Sequence, residues 1–226
     1  NVNVTQLNLF SNAANITESS GTGGTILLRG TDNLRAENIQ LANSIVSTAS
    51  GGGGGGGPIE FQTKALTISD RTDVGTSSFG TGAGGTIAVK GAENVTIQSG
   101  SRVLTDVVIG LAGSPQGSAG SILFETQNLA LLSGGQIGAR ALPNSTGNAG
   151  TITVQGNSPA QSVLIDGAGS GIFSTTQGTG AGGDIFVNAN SVMLQNGGAL
   201  SAATSGTATT ATGGTITVTA PNTVTM

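Results

Sequence analysis

Gly85-Thr86-Ile87-Ala88-Val89-Lys90-Gly91-Ala92-Glu93-Asn94-Val95-Thr96-Ile97 is the stretch that decides the fold. Thr86 to Lys90 alternates polar and apolar residues, the period-2 signature of a half-buried strand. Gly91-Ala92-Glu93-Asn94 supplies a corner, and Val95-Thr96-Ile97 forms a second strand with its aliphatics on one face. Ser99-Gly100-Ser101 turns the chain again, and Val103-Leu104-Thr105 starts a third strand. A glycine-rich loop leads to the next unit.

The same grammar runs along the whole chain. Gly-x-Ile-x-(aliphatic or Phe) recurs with its isoleucines at Ile26, Ile59, Ile87, Ile122, Ile152, Ile185 and Ile216. The spacing is 28 to 35 residues, which marks a stack of like units that cannot each bury an apolar face alone. Second strands read Leu7-Asn8-Leu9, Ile39-Gln40-Leu41, Leu66-Thr67-Ile68, Leu129-Ala130-Leu131, Val163-Leu164-Ile165, Val192-Met193-Leu194 and Val224-Thr225-Met226. Third strands are led by Ile16, Ile45, Val74, Val103, Ile137, Ile172 and Leu200.

Runs of Gly, Thr, Val, Asn and Ser form helices poorly and strands or turns well. No segment carries apolar residues at helical spacing over several turns, which excludes helical repeats, and a propeller blade would need four strands and a longer period. The expected fold is therefore all-β: a parallel β-helix of about seven turns, with three short strands per turn. Each strand pairs with its equivalent one turn away at roughly 4.8 Å, so the seven isoleucines form an aliphatic ladder about 29 Å long. Glycine just before the isoleucine suits a corner that needs positive φ or close backbone approach. Asn38, Asn94 and Asn128 precede second strands and are candidates for a partial amide ladder or for Asx turns.

Composition narrows the function classes. The 226 residues include 40 glycines, with 36% hydrophobic and only 8% charged residues. Cysteine, histidine, tryptophan and tyrosine are absent, so no disulfide, thiolate nucleophile or imidazole ligand exists. The net charge is −4 with scattered basic residues, and nothing draws nucleic acid electrostatically. No apolar run is long enough for a transmembrane helix. Residues 1–226 read as a single shaft segment, part of a longer chain or array, with Val2, Val4, Val224 and Met226 as candidate stacking ends.

Candidate chemistry is sparse. Asp70 and Asp73, with Arg71 between, form the tightest acidic cluster, but they sit where a turn would carry short polar residues anyway. Glu60 and Glu125 occupy different offsets in their strands, so they are not a facing carboxylate pair of the sort glycoside hydrolysis uses. Gly182-Gly183-Asp184 occurs once, outside the tandem nonapeptides that calcium β-rolls use. Thr151-x-Thr153 and Thr215-x-Thr217 are too few for a regular threonine face. Gly51 to Gly57 is followed by a strand rather than by a helix and lysine, so it is read as a flexible loop projecting from one corner and not a phosphate cradle. Leu27, Leu123 and Phe186 share one outward offset and either pack beneath the glycine-rich loops or form a lateral patch. No catalytic, cofactor-binding or metal-ligating residue is assigned, and the expectation is a protein that is not an enzyme.

Gly-Thr-Gly-Ala-Gly-Gly-Thr-Ile-x-Val at 80–89 and Gly-Thr-Gly-Ala-Gly-Gly-Asp-Ile-Phe-Val at 178–187 are near copies. Together with (Leu or Val)-x-Leu-x-x-Gly-Gly-x-(Ile or Leu) at 129–137 and 192–200, they resemble filamentous haemagglutinin-like exoproteins, especially the glycine-rich ones of cyanobacteria. The resemblance covers nearly the whole chain and rests on structural repeats rather than a catalytic signature. It implies a right-handed β-helix, two-partner secretion, an extracellular or outer-surface location, and a role in adhesion, aggregation or biofilm. The Asn-Pro-Asn-Gly motif of that family's secretion domain is absent, so the expectation is a piece of central shaft. Its expected partners are neighbouring turns or other copies of itself, and cell-surface or polysaccharide ligands. The alternatives are a self-assembling extracellular fibre and, more distantly, a polysaccharide-active β-helix enzyme.

Overall fold

The structure is a computed structural model that describes residues 2–4, 8–13, 21–32, 34–107, 117–156, 159–206 and 211–226, with residues 2–13 as backbone alone. Every described regular element is a β-strand, and every strand pairing is parallel. The chain is a β-solenoid with one sheet of 11 strands and one of seven among the described residues.

The isoleucines stack in one column. Ile26 pairs in register with Ile59, and the column continues through Ile87, Ile122, Ile152, Ile185 and Ile216. Ile59, Ile87, Ile122, Ile152 and Ile185 are at most 1% exposed. Two residues on, Phe61, Val89, Phe124, Val154 and Val187 make a second buried column. Each such side chain contributes roughly 1.5–3 kcal/mol of transfer energy.

First and second strands stay separate, as the sequence predicts, at Ile26–Leu28 and Ala36–Ala42, at Ile152–Gln155 and Ala160–Asp166, and at Ile216–Thr219 and Thr223–Thr225. They merge in the other turns, as Ile59–Ser69, Ile87–Gln98, Ile122–Leu132 and Ile185–Gln195. The intended corner is instead a register irregularity inside the strand, between Gln62 and Ala65 and between Phe124 and Thr126. A bulge bends a strand without ending its pairing. Small buried residues fill that bend: Ala36, Thr63, Ala92, Thr126, Ala160 and Ala189.

Strand parity corrects two further assignments. Val46, not Ile45, stacks with Val74, Val103, Ile137, Ile172 and Leu200, while Ile45 faces outward and is 41% exposed. Leu9 pairs with Val46, so it belongs to a third strand, and Val2–Val4 takes the second-strand place beside Ile39 to Leu41. A shift of one residue moves a side chain to the opposite face. Ile16 and Leu7 lie outside the described residues.

The glycine-rich segments close the third side. Gly51 to Gly57 does not project: Gly56 and Gly57 are buried. Backbone bonds tie these segments together from turn to turn, as in Gly23 N–H to Gly55 O, Gly56 to Ala83, Gly84 to Ser118, Ala119 to Asn148, Ala149 to Ala181 and Gly182 to Thr212, at 2.7–2.9 Å. A Cβ on Gly57, Gly85, Gly120, Gly150, Gly183 or Gly214 would stand under 3.0 Å from the carbonyl oxygen of the equivalent glycine one turn earlier. None of these glycines has positive φ. Close axial approach is therefore the reason for glycine before each isoleucine.

Hydroxyls bridge the lumen to this glycine wall. Thr48, Thr76 and Thr105 stack on the inner face of the seven-stranded sheet. Their hydroxyls donate to the carbonyls of Gly57, Gly85 and Gly120 at 2.6, 3.0 and 2.7 Å. Ala139 occupies the next rung and has no hydroxyl to give. The Gly150 carbonyl in that turn is met instead by Ser174 from the following one. Buried acceptors are costly when unpaired, and the neighbouring turn makes good the loss.

Candidate functional site

The outer face of the seven-stranded sheet carries two bidentate ion pairs. Inner positions of Asp73–Ser78 and Arg102–Val107 hold Val74, Thr76, Val103 and Thr105, so alternation sends Asp73, Arg102, Leu104 and Asp106 outward. Arg102 donates to both carboxylate oxygens of Asp73 at 2.8 Å. Arg140 does the same to Asp106 at 3.0 and 2.8 Å. These are cross-strand partners in register. The fork geometry of guanidinium and carboxylate makes such pairs the strongest of their kind. The hydrogen bond to Asp73 is the main cause that pushes the Arg102 guanidinium above its ordinary pKa.

A notch of about 230 Å³ opens over Gly75 between the two ion pairs, with Leu104 on one wall. A Cβ at Gly75 would meet nothing nearer than Leu104 O at 3.7 Å. Leu104 itself is only 9% exposed, because its side chain lies across Gly138, where a Cβ would come within 2.8 Å of it. A second, smaller hollow of about 190 Å³ lies at the strand bend beside Arg35, Gly91, Glu93 and Glu125.

The singled-out acids are dispersed. Asp70 sits at a corner with φ 56° and accepts from Ser69 Oγ at 3.1 Å, while Asp73 is taken up by Arg102. Glu60 pairs with Lys90 at 2.8 Å on the outside of the larger sheet. Partial burial works to raise the Glu60 carboxyl, but hydrogen bonds from Lys90 and Gln62 hold it below its ordinary value. The Lys90 ammonium is raised, chiefly by Glu60. Glu125 pairs in register with Gln155, outside the Glu60 column. Asp184 accepts from the Thr215 N–H at 2.8 Å. Among the described residues no group of three or more acidic side chains is placed to hold a metal ion, and no helix is long and apolar enough to cross a membrane.

Leu27, Leu123 and Phe186 share a column with Glu60, Ala88 and Thr153 between them. Leu27 and Phe186 are 42% and 39% exposed, so they do not pack beneath the glycine segments, which form a wall of their own. Interruption by Glu60 keeps them from forming one patch. Asn94 and Asn128 do form an axial ladder: Asn128 Nδ2 donates to Asn94 Oδ1 at 3.1 Å, and Ser162 Oγ donates to Asn128 Oδ1 at 2.9 Å. Asn38 faces Ala65 and stands outside it.

The Val2–Val4 strand lies at the margin of the larger sheet, paired on one side with Ile39 to Leu41. At the other end Val224 pairs with Val192, in the same column as Ile39, Leu66, Val95, Leu129 and Val163. Ile216, Val224 and Met226 are 41%, 45% and 86% exposed. The ion pairs and the threonine column were not singled out from sequence. Their signals were present: Val46-x-Thr48, Val74-x-Thr76 and Val103-x-Thr105 repeat one offset, and Asp73 and Arg102 share a place in successive units.

Comparisons with protein-family models, with curated proteins and with solved structures gave no match.

Proposed function

We propose that this chain is a non-catalytic structural shaft of a secreted or cell-surface, adhesin-like exoprotein. The observation that carries the reading is the unbroken register: seven isoleucines stack in one column through every repeat. An object built this way holds two ends apart, and its stability is a sum of contacts between neighbours. The engagement of Asp73 by Arg102, Asp106 by Arg140 and Glu60 by Lys90 supports a mechanical rather than a hydrolytic role for these acids. Immunogold labelling of intact source cells, with antibody raised against residues 1–226, tests the location. Particles outside the outer membrane are expected, and label confined to the cell interior overturns the reading.

The exposed Ile216, Val224 and Met226 favour a second reading, a fibre subunit that stacks head to tail. Val2 and Val224 lie in one column, so a second copy stacked end to end would extend that column. Open strand edges invite such addition, and a contact that does not close yields a filament. Electron micrographs of purified protein separate the two: long uniform fibres support assembly, and short single rods at high concentration refute it.

A further inference from the structure

Gly75 is the one described strand glycine that the fold itself does not require. It lies within Asp73–Ser78, where glycine costs backbone entropy and packs nothing. The other strand glycines have a reason: Gly91 has a φ of 66°, and a Cβ on Gly138 or Gly171 would press on the Leu104 or Phe173 side chain. Gly75 has neither constraint, since its φ is not positive and a Cβ there meets nothing nearer than 3.7 Å. What its bareness provides is the floor of the notch.

The register puts that floor at the centre of a grid. Ile45, Ser47 and Ala49 lie on one side of Asp73, Gly75 and Ser77, and Arg102, Leu104 and Asp106 lie on the other. Outward neighbours along a strand stand about 6.7 Å apart, and rows roughly 4.8 Å apart. The Ser47 and Ser77 hydroxyls border the notch and have no hydrogen-bond partner among the described residues. Each bidentate ion pair fixes its two side chains yet leaves guanidinium N–H groups and about half of the carboxylate's acceptor positions unused. Asp73 and Asp106 neutralise Arg102 and Arg140, and Leu104 supplies an apolar wall. The volume of about 230 Å³ falls below the roughly 300–1,000 Å³ of pockets for drug-sized ligands, which limits the occupant to one small ring.

We infer that the notch over Gly75 binds one neutral hexose ring, free or as a unit of a polysaccharide. A hexose matches the grid: its hydroxyl edge both donates and accepts, and its ring carries a face of C–H groups. The hydroxyls meet Ser47, Ser77 and the open positions of the two ion pairs, and the C–H face lies on Leu104. The ring is held and not cleaved. Asp106 pairs with Ser77, four places along the strand from Asp73, so the two carboxylates are separated by roughly 13 Å, beyond the roughly 5–10 Å of paired glycosidase carboxylates. The site lies in the middle of the stack, with described turns on both sides. Its chemistry is the same wherever the protein resides, so the immunogold outcome neither supports nor removes it.

Methyl glycosides of glucose, mannose and galactose, each beside its polymer (dextran, mannan and galactan), are titrated into isotope-labelled protein and amide shifts are read by NMR. At least one hexoside should shift Gly75, Ser77 and Leu104 with a dissociation constant on the order of millimolar, as a ligand of this size implies. Gly75→Val fills the floor with a good strand former, so it should abolish the shifts while the Tm stays at or above that of the parent. Ser77→Ala adds no bulk and should weaken binding about tenfold; if Gly75→Val melts below the parent, Ser77→Ala alone decides. A polymer that binds tighter per ring than its own hexoside assigns the ring to a polysaccharide, and equal binding per ring assigns it to a free sugar. No shift at the notch with any hexoside or polymer, shifts that survive both substitutions, or glucuronate bound as tightly as the best hexoside overturns the inference.

Discussion

At the scale of single residues, the glycines before the isoleucines set the tightest constraint. A Cβ on Gly120 would press on the carbonyl of Gly85, while Gly120's own carbonyl holds the Thr105 hydroxyl. The wall cannot retreat without breaking the backbone bond from Gly84 N–H to Ser118 O. Gly120→Ala should therefore cost about 3 kcal/mol through overpacking of backbone against backbone. Gly53 is the control, because a Cβ there meets only Thr81 Oγ1 at 3.5 Å, and Gly53→Ala should stay within about 0.5 kcal/mol of the parent. Denaturant melts of the two variants check this, and equal midpoints would mean that the wall is loose. The position of these glycines was legible as a fixed offset from isoleucine. Their reason was not, because a glycine that avoids an axial neighbour and one that adopts positive φ look alike in a sequence.

At the scale of elements, the strands were legible and the third wall was not. Alternation marks a strand because side chains change face at each residue, and Ile59–Ser69 or Ile122–Leu132 carry that alternation clearly. Gly51 to Gly57 carries no side chains to alternate, so nothing in it distinguished a hydrogen-bonded wall from a flexible loop. Ile45 was misplaced for a related reason: Ile45-Val46 offers two adjacent aliphatics, and only pairing with Asp73 and Val74 settles which one points inward. The outer faces carry the charged rungs, and Glu60 with Lys90 gives them a pH signature. A lowered Glu60 stabilises the fold above the ordinary carboxylate range, and that increment is lost as pH falls through its folded value. A raised Lys90 stabilises below the ordinary amine range, and that part is lost as pH rises through its folded value. Between those limits the pair contributes, and the Lys90 side chain's 47% exposure keeps it below about 1 kcal/mol. Glu60→Gln should lower the Tm near neutral pH by a degree or so, with the difference from the parent vanishing in acid. A difference that persists unchanged at acid pH would assign the effect to packing instead.

At the scale of the molecule, stability should vary along the axis because each turn touches only its neighbours. Ile122 is 1% exposed between Ile87 and Ile152, whereas Ile216, the last of the column among the described residues, is 41% exposed. Native-state hydrogen exchange reports the free energy of local opening, so amides of Ile87–Gln98 and Ile122–Leu132 should exchange last and those of Ile216–Thr219 and Thr223–Thr225 first. A charge in the middle of the stack should remove that gradient's summit. Ile122→Asp buries an unpaired carboxylate and should cost about 4 kcal/mol, opening the central turns to exchange. Ser121→Asp, one residue away, points outward in the column where Asp184 already stands, and should leave the profile intact. If the two variants exchanged alike, or if the terminal turns proved as protected as the central ones, stability would not reside in the stacked columns. The mechanical role would then lose its physical basis, since a shaft transmits load only through contacts that each turn makes with the next.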